Sequence, residues 1–317
     1  MIRRCLPTTA GVAAIAALAV ISTFAQTAPP QVRRPADQTY RGGVEMVALS
    51  VTVLDQQSRY LTDLDSKDFL VYEDGAKQEI SYFNRTTLPI ALSLLLDTSA
   101  SMDQRMAVAQ DAAVGFARNL RPQDLAQIVA FATRVEILQD FTSDAAALEK
   151  AIRSAQAGGS TSLYNALYIS LKELVKIQAK SDDDVRRRAV VLLSDGEDTS
   201  SLVTFEEVLD LAKRSATTIY SIGLQSKDTR VSKGFREAEF VLRQLAQDTG
   251  GRAFFPQRVE DLAGIYGVIA DELASQYTLG YASTNAKRDG GWRRLNVQIN
   301  RLGTTARTKR GYFAPAS

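Results

Sequence analysis

The stretch Ala91-Leu92-Ser93-Leu94-Leu95-Leu96-Asp97-Thr98-Ser99-Ala100-Ser101-Met102 decides how the rest of the chain is read. Six mostly apolar residues end at Asp97, and Asp97, Ser99 and Ser101 then follow at alternate positions. An apolar run of this length bounded by polar residues suits a strand buried on both faces, as in a parallel sheet. Such a strand delivers one carboxylate and two hydroxyls to its carboxyl end, where open α/β sheets bind their ligands. These are hard oxygen donors, the kind Mg²⁺ prefers.

Working outward, residues 88–274 alternate between strand-like and helix-like segments, which predicts a mostly parallel, doubly wound α/β sheet covered on both faces. Helical spacing covers 105–120, 144–155, 161–178, 205–215, 235–249 and 259–274; strands are expected at 126–132, 135–139, 188–194, 217–223 and 252–255. The helix at 205 opens with the capping box Thr204-x-x-Glu207. Two further clusters share the chemistry of the first. Gly158-Gly159-Ser160-Thr161 is a glycine turn that presents a hydroxyl as a helix begins. Ser194-Asp195-Gly196-Glu197-Asp198 places a carboxylate at the end of a second apolar strand. Each also has a plain reading. Ser101-x-x-Gln104 is a helix cap, Thr161 an N-cap after a Gly-Gly turn, Asp195-Gly196 a strand-ending turn, and Glu197 and Asp198 solvated turn residues.

The ordered set strand–DxSxS–helix, GGxT–helix, strand–DG resembles the von Willebrand factor type A domain with its metal-ion-dependent adhesion site, over roughly residues 88–274. The resemblance implies that Ser99, Ser101 and Thr161 ligate a Mg²⁺-type ion (Mn²⁺ or Ca²⁺ as alternatives) through hydroxyls. Asp97 and Asp195 would contribute carboxylates, directly or through water. It further implies an open coordination position for an Asp or Glu carboxylate of a protein partner, hence adhesion or scaffolding rather than catalysis. In this family the 259–274 helix could shift on occupancy of the site. The wording LLSDGEDTSS and Gly311-Tyr312-Phe313 resemble a bacterial exported subgroup. The rival class is a metal-dependent hydrolase or phosphatase. An aspartate-nucleophile phosphotransferase wants a second Asp where Ser99 stands, and no Gly-Lys phosphate loop is found. A third reading is a scaffold with a purely structural metal site.

Composition narrows the classes. The chain has 317 residues, 45% hydrophobic and 23% charged, ordinary for a folded protein. The formal net charge of +2 shows no basic stripe for nucleic acid. The absence of His excludes His-based triads and HExxH zinc sites, and the one cysteine, Cys5, offers no disulfide framework. Residues 1–25 pair Arg3-Arg4 with an apolar run and Thr23-Phe24-Ala25, a signal-peptide pattern with cleavage after Ala25. The expectation is an exported protein, periplasmic or secreted, with no stable membrane span after cleavage; an uncleaved anchor is the alternative. Residues 26–42 form a Pro- and Gln-rich leader.

The flanks read as β-structure. In 43–87, strands are expected at 46–54, 69–73 and 78–83, the last pairing back across an Asp74-Gly75 turn. In 275–317, strand-like alternation at 276–281, 292–299 and 304–313 suggests the other half of a β-sandwich packing with 43–87. The run Lys180-Ser181-Asp182-Asp183-Asp184-Val185-Arg186-Arg187-Arg188 reads as a solvated loop, and Tyr164 as a packed residue beside Thr161.

Overall fold

In the computed structural model, residues 46–85, 88–177, 185–195, 198–224 and 233–316 are described. The expected signal segment and leader, Gly196, Glu197 and the start of the Lys180 run lie outside these residues. Four strands come first: β1 (Met46–Leu54), β2 (Phe69–Glu73), β3 (Ala76–Gln78) and β4 (Ile80–Asn84). The α/β region follows with β5 (Ile90–Asp97), α1 (Met106–Arg118), β6 (Leu125–Phe131), β7 (Val135–Thr142), α2 (Ala145–Ser154) and α3 (Leu163–Lys176). It continues through β8 (Arg187–Ser194), α4 (Phe205–Arg214), β9 (Thr218–Gly223), α5 (Lys233–Thr249), β10 (Ala253–Phe254) and α6 (Leu262–Ser275). The chain then adds β11 (Tyr277–Ala282), β12 (Trp292–Ile299), β13 (Thr305–Arg307) and β14 (Gly311–Phe313).

The central sheet has the order β10-β9-β8-β5-β6-β7, parallel except for the edge strand β7. Every residue of β5 is buried, because helices cover both faces. Ile90, Leu92, Leu94 and Leu96 share a core with Phe116 of α1 and Tyr266 of α6. Ala91 and Leu95 share the opposite core with Leu167 and Leu171 of α3, Val208 of α4 and Leu245 of α5. Burying each leucine contributes about 1.5–3 kcal/mol before chain entropy is subtracted. From β5 the chain moves one way to β6 and β7, then returns to the other side at β8. The crevice where the direction reverses lies between the carboxyl ends of β5 and β8, the position at which such sheets bind ligands.

Residues before and after this sheet make two antiparallel four-stranded sheets, β13-β1-β11-β4 and β14-β12-β2-β3. They close over a shared core containing Val51, Val71, Leu279 and Val297. One expectation is corrected here. Residues 78–83 do not form a single strand returning on β2. The Asp74-Gly75 turn, with φ of +47° and +86°, does send β3 back along β2. The chain then crosses to the other sheet, where β4 pairs with β11 and Phe83 stacks on Tyr277 at 5.9 Å. From there half-buried Phe83 also meets Phe69 of β2 at 5.6 Å, so the crossing places it in the core shared by the two sheets.

The sandwich meets the α/β region through buried polar groups at the end of α6. Glu272, fully buried, accepts from the Tyr220 hydroxyl of β9 at 2.9 Å and pairs with Arg307 of β13. Gln276 donates to Tyr220 at 3.2 Å and to Thr52 of β1 at 3.3 Å. Arg187, expected in a solvated run, is instead the first residue of β8, and its guanidinium donates to the carbonyls of Leu88 and Leu273. Burial pulls its pKa down to about 10.

Candidate metal centre

At the end of β5 the side chain of Asp97 is wholly buried and both its oxygens are engaged. One accepts the Ser99 backbone N–H at 2.8 Å; the other accepts the Ser194 hydroxyl, from the end of β8, at 2.6 Å. Burial raises the Asp97 pKa, the Ser194 and Ser99 hydrogen bonds oppose it, and the charge of Asp195 adds to the rise. Asp97 and Asp195 therefore approach each other at the switch point, between the ends of β5 and β8.

From Asp97 the chain turns outward in extended geometry at Ser99 (φ −63°, ψ 162°) and enters a 3₁₀ turn, Ala100–Arg105, before α1. The Ser99 and Ser101 hydroxyls lie 3.0 Å apart, and Ser101 donates to Asp195 Oδ1 at 2.7 Å. No side-chain hydrogen bond caps this turn. The hydroxyl of Ser101 is spent on Asp195, so the capping-box reading of Ser101 and Gln104 falls. Arg105 reaches back from the end of the turn and places Nη1 2.6 Å from Asp195 Oδ2.

The 158–161 loop docks against this turn through its backbone. Gly158 N–H donates to the Thr98 carbonyl at 2.7 Å, and Ala100 N–H donates to the Gly159 carbonyl at 3.0 Å. Gly159 has φ of +84°, and a Cβ there would stand 2.5 Å from the Thr133 hydroxyl, so the turn requires glycine. Thr161 is held by its backbone: its N–H donates to Thr199 Oγ1 at 3.0 Å, and its carbonyl accepts from Thr199 N at 2.9 Å. Four of the five candidate residues, Asp97, Ser99, Ser101 and Asp195, thus fall in one hydrogen-bonded constellation. Thr161 is not in that network; it bonds Thr199 through its backbone, in the loop whose Gly158 and Gly159 dock on Thr98 and Ala100.

Thr161 is not the cap of α3; Ser162 occupies that position and donates its hydroxyl to the Ala132 carbonyl at 2.7 Å. The open N–H groups at the start of α3 are satisfied from the loop after β8. Asp198 Oδ1 accepts from Tyr164 N at 3.2 Å, and Ser201 Oγ accepts from Asn165 N at 3.0 Å. Sequence reasoning placed Asp198 among solvated turn residues. The signal that was available is Asp198-Thr199-Ser200-Ser201, whose first side chain accepts from the Ser201 N–H at 3.2 Å. Tyr164 is part-buried, packing within 6.2 Å of the Phe205 ring.

Spacing and donor chemistry test whether a cation fits. Mg²⁺ with oxygens at about 2.1 Å sets neighbouring ligand oxygens about 3.0 Å apart in an octahedron. The Ser99–Ser101 and Ser101–Asp195 oxygens, hydrogen-bonded to each other at 3.0 and 2.7 Å, lie close to that edge. The donors are hydroxyl and carboxylate oxygens throughout, suited to hard cations. Among the described residues no group of three or more His, Cys, Asp or Glu could hold a metal. The constellation here has two carboxylates and otherwise hydroxyls, the donor types taken by hard cations that keep several waters.

Comparison with known proteins agrees with this architecture. Residues 92–197, about a third of the chain, match the family model of the von Willebrand factor type A domain. The UPF0353 protein MAV335 of Mycobacterium avium is 25% identical over 236 residues, 67% of this chain and 68% of its own length. Another UPF0353 protein, from Mycolicibacterium paratuberculosis, is 23% identical, and the match spans 65% of its length. An uncharacterized protein of Synechocystis is 34% identical over 113 residues, 35% of this chain but only 26% of its own length. Among solved structures, von Willebrand factor type A from Catenulispora acidiphila aligns with a TM-score of 0.51 at 11% identity, covering 87% of this chain and 76% of that one. The chain therefore carries the von Willebrand factor type A fold, with the family match itself confined to residues 92–197.

Proposed function

We propose that this protein is an exported, metal-dependent protein-binding module of the adhesion or scaffold kind. Asp97, Ser99, Ser101, Thr161 and Asp195 would hold a Mg²⁺-type ion, with Mn²⁺ or Ca²⁺ as substitutes, and an Asp or Glu carboxylate of a partner would complete the shell. The observation that carries this reading is the Ser99–Ser101–Asp195 chain of oxygens at octahedral-edge spacing in the switch-point crevice. When bound, the cation supplies positive charge that lets acidic groups from two molecules share one site.

The chain's own residues supply the positioning. Asp97 fixes the Ser99 backbone, and Ser194 fixes Asp97, so the first hydroxyl is set by a buried frame. Gly159 brings the Thr161 loop against Ala100 without a side chain in the way. Beside this loop Thr133, Arg134, Val135, Asn165, Tyr168 and Ile169 line a cavity of about 340 Å³, a footing for a partner's neighbouring residues. Binding is favoured over turnover because the chain has no His to serve as a base, and Asp198 is committed to the start of α3. Export rests on the signal pattern of residues 1–25. Among the described residues no helix is long and apolar enough to cross a membrane.

The test is calorimetric titration of Mg²⁺ and Mn²⁺ into chelator-stripped residues 26–317, beside Asp97→Ala and Asp195→Ala. The reading expects wild-type binding that is lost in both variants while their circular dichroism stays native. No binding by the wild type at millimolar cation overturns it.

A further inference from the structure

We infer that Arg105 sets the charge balance of this site, weakening its hold on a divalent cation and strengthening the loaded site's hold on a partner carboxylate. The inference rests on the binding reading above and adds a residue outside the five candidate ligands. Arg105 lies four residues after Ser101, at the end of the same 3₁₀ turn. Its Nη1 donates to Asp195 Oδ2 at 2.6 Å, while Oδ1 of the same carboxylate accepts from Ser101. The Asp195 side chain is 1% exposed and that of Arg105 19%, so the pair lies largely out of water. A guanidinium does not lose its proton in a protein, which makes this positive charge permanent.

The consequence follows from counting charges. In formal charges Asp97 and Asp195 contribute −2, and Arg105 on Asp195 brings the site to −1. A divalent cation then takes it to +1, and a partner carboxylate returns it to neutrality. Without Arg105 the loaded site would already be neutral, and the partner's carboxylate would leave it negative. The arginine thus repels the cation and attracts the anion, and burial makes both effects larger than they would be at the surface.

The experiment compares wild type with Arg105→Gln and Arg105→Lys in residues 26–317, with native circular dichroism required of each. Mg²⁺ alone is titrated by calorimetry, and acetate is added to the Mn²⁺-loaded protein, its binding read from paramagnetic broadening of the methyl resonance. Arg105→Gln should bind Mg²⁺ about tenfold more tightly and acetate about tenfold more weakly, while Arg105→Lys stays within about threefold of wild type in both. If Arg105→Gln moves both affinities in the same direction, or neither, Arg105 only braces the turn and the inference is overturned. A wild type that takes up no Mg²⁺ overturns the binding reading itself, and the inference with it.

Discussion

Glu73→Gln is the perturbation whose cost can be worked most directly from the structure. Glu73, at the end of β2, is 1% exposed and ties the two sheets of the sandwich together. Its Oε2 accepts from the Tyr281 hydroxyl of β11 at 2.7 Å and the Tyr312 hydroxyl of β14 at 2.9 Å. Its Oε1 accepts from the Ser283 hydroxyl at 2.7 Å and Arg293 Nη1 at 3.2 Å. Glutamine keeps the shape but turns one acceptor into a donor that faces other donors. It also leaves Arg293, whose side chain is 4% exposed, without its buried counter-charge. Removing one partner of such a pair costs about 3–5 kcal/mol. Tyr312→Phe removes one hydrogen bond to a charged group and should cost about 1.5–3 kcal/mol. Trp292, the chain's single tryptophan, sits on β12 of this sandwich, so urea unfolding followed by its fluorescence reads the right region. The double variant Glu73→Gln with Arg293→Met removes the stranded charge and should lose less than the sum of the single changes. A Glu73→Gln cost below about 1 kcal/mol, or a fully additive double variant, would refute the reasoning.

The same carboxylate makes the sandwich acid-sensitive. Burial pushes the Glu73 pKa up, but hydrogen bonds from Ser283, Tyr281, Tyr312 and Arg293 outweigh it and hold the pKa below the usual value. A depressed carboxylate contributes stability that is present above the unfolded pKa of about 4.3 and lost as pH falls through the folded value. Trp292-monitored melting should therefore decline below about pH 4 in the wild type and be flatter in Glu73→Gln; parallel curves would contradict this. Gly159→Ala forces a side chain into a φ of +84° and to within 2.5 Å of the Thr133 hydroxyl. It should cost more than about 1 kcal/mol and weaken Mg²⁺ binding, whereas Gly158→Ala, which meets nothing within 4 Å, should do neither to the same degree. Urea unfolding and calorimetry on the two variants check both points.

What could be read from the sequence and what could not divide along one physical line. β5 and β8 were legible because a strand buried on both faces needs a continuous apolar run, whoever its neighbours are. The α4 start was legible because its capping box is local: Thr204 Oγ1 accepts from Glu207 N at 3.2 Å, and Glu207 Oε2 accepts from Thr204 N at 2.8 Å. The positions of Asp97 and Asp195 at the carboxyl ends of β5 and β8 were legible for the same reason, since each follows a recognisable apolar run. Long-range partnerships were not. Arg187 belongs to a charged run by composition, but its acceptors, Leu88 and Leu273, lie 99 and 86 residues away. Asp198 acts on the start of α3, 34 residues earlier, and Arg105 finds Asp195 across 90 residues. The division of residues 78–83 between two sheets likewise depends on a long-range partner: β11 is legible as a strand, but its pairing with β4, far earlier in the chain, is not.

The central claim is that the crevice between β5 and β8 holds a cation on hydroxyl and carboxylate oxygens. The most direct measurement is an anomalous difference map from crystals of residues 26–317 grown with Mn²⁺. The expected result is a peak about 2 Å from the Ser99 and Ser101 hydroxyls, absent from Asp97→Ala crystals. A map without density there, with Ser101 and Arg105 still seated on Asp195, would contradict the claim.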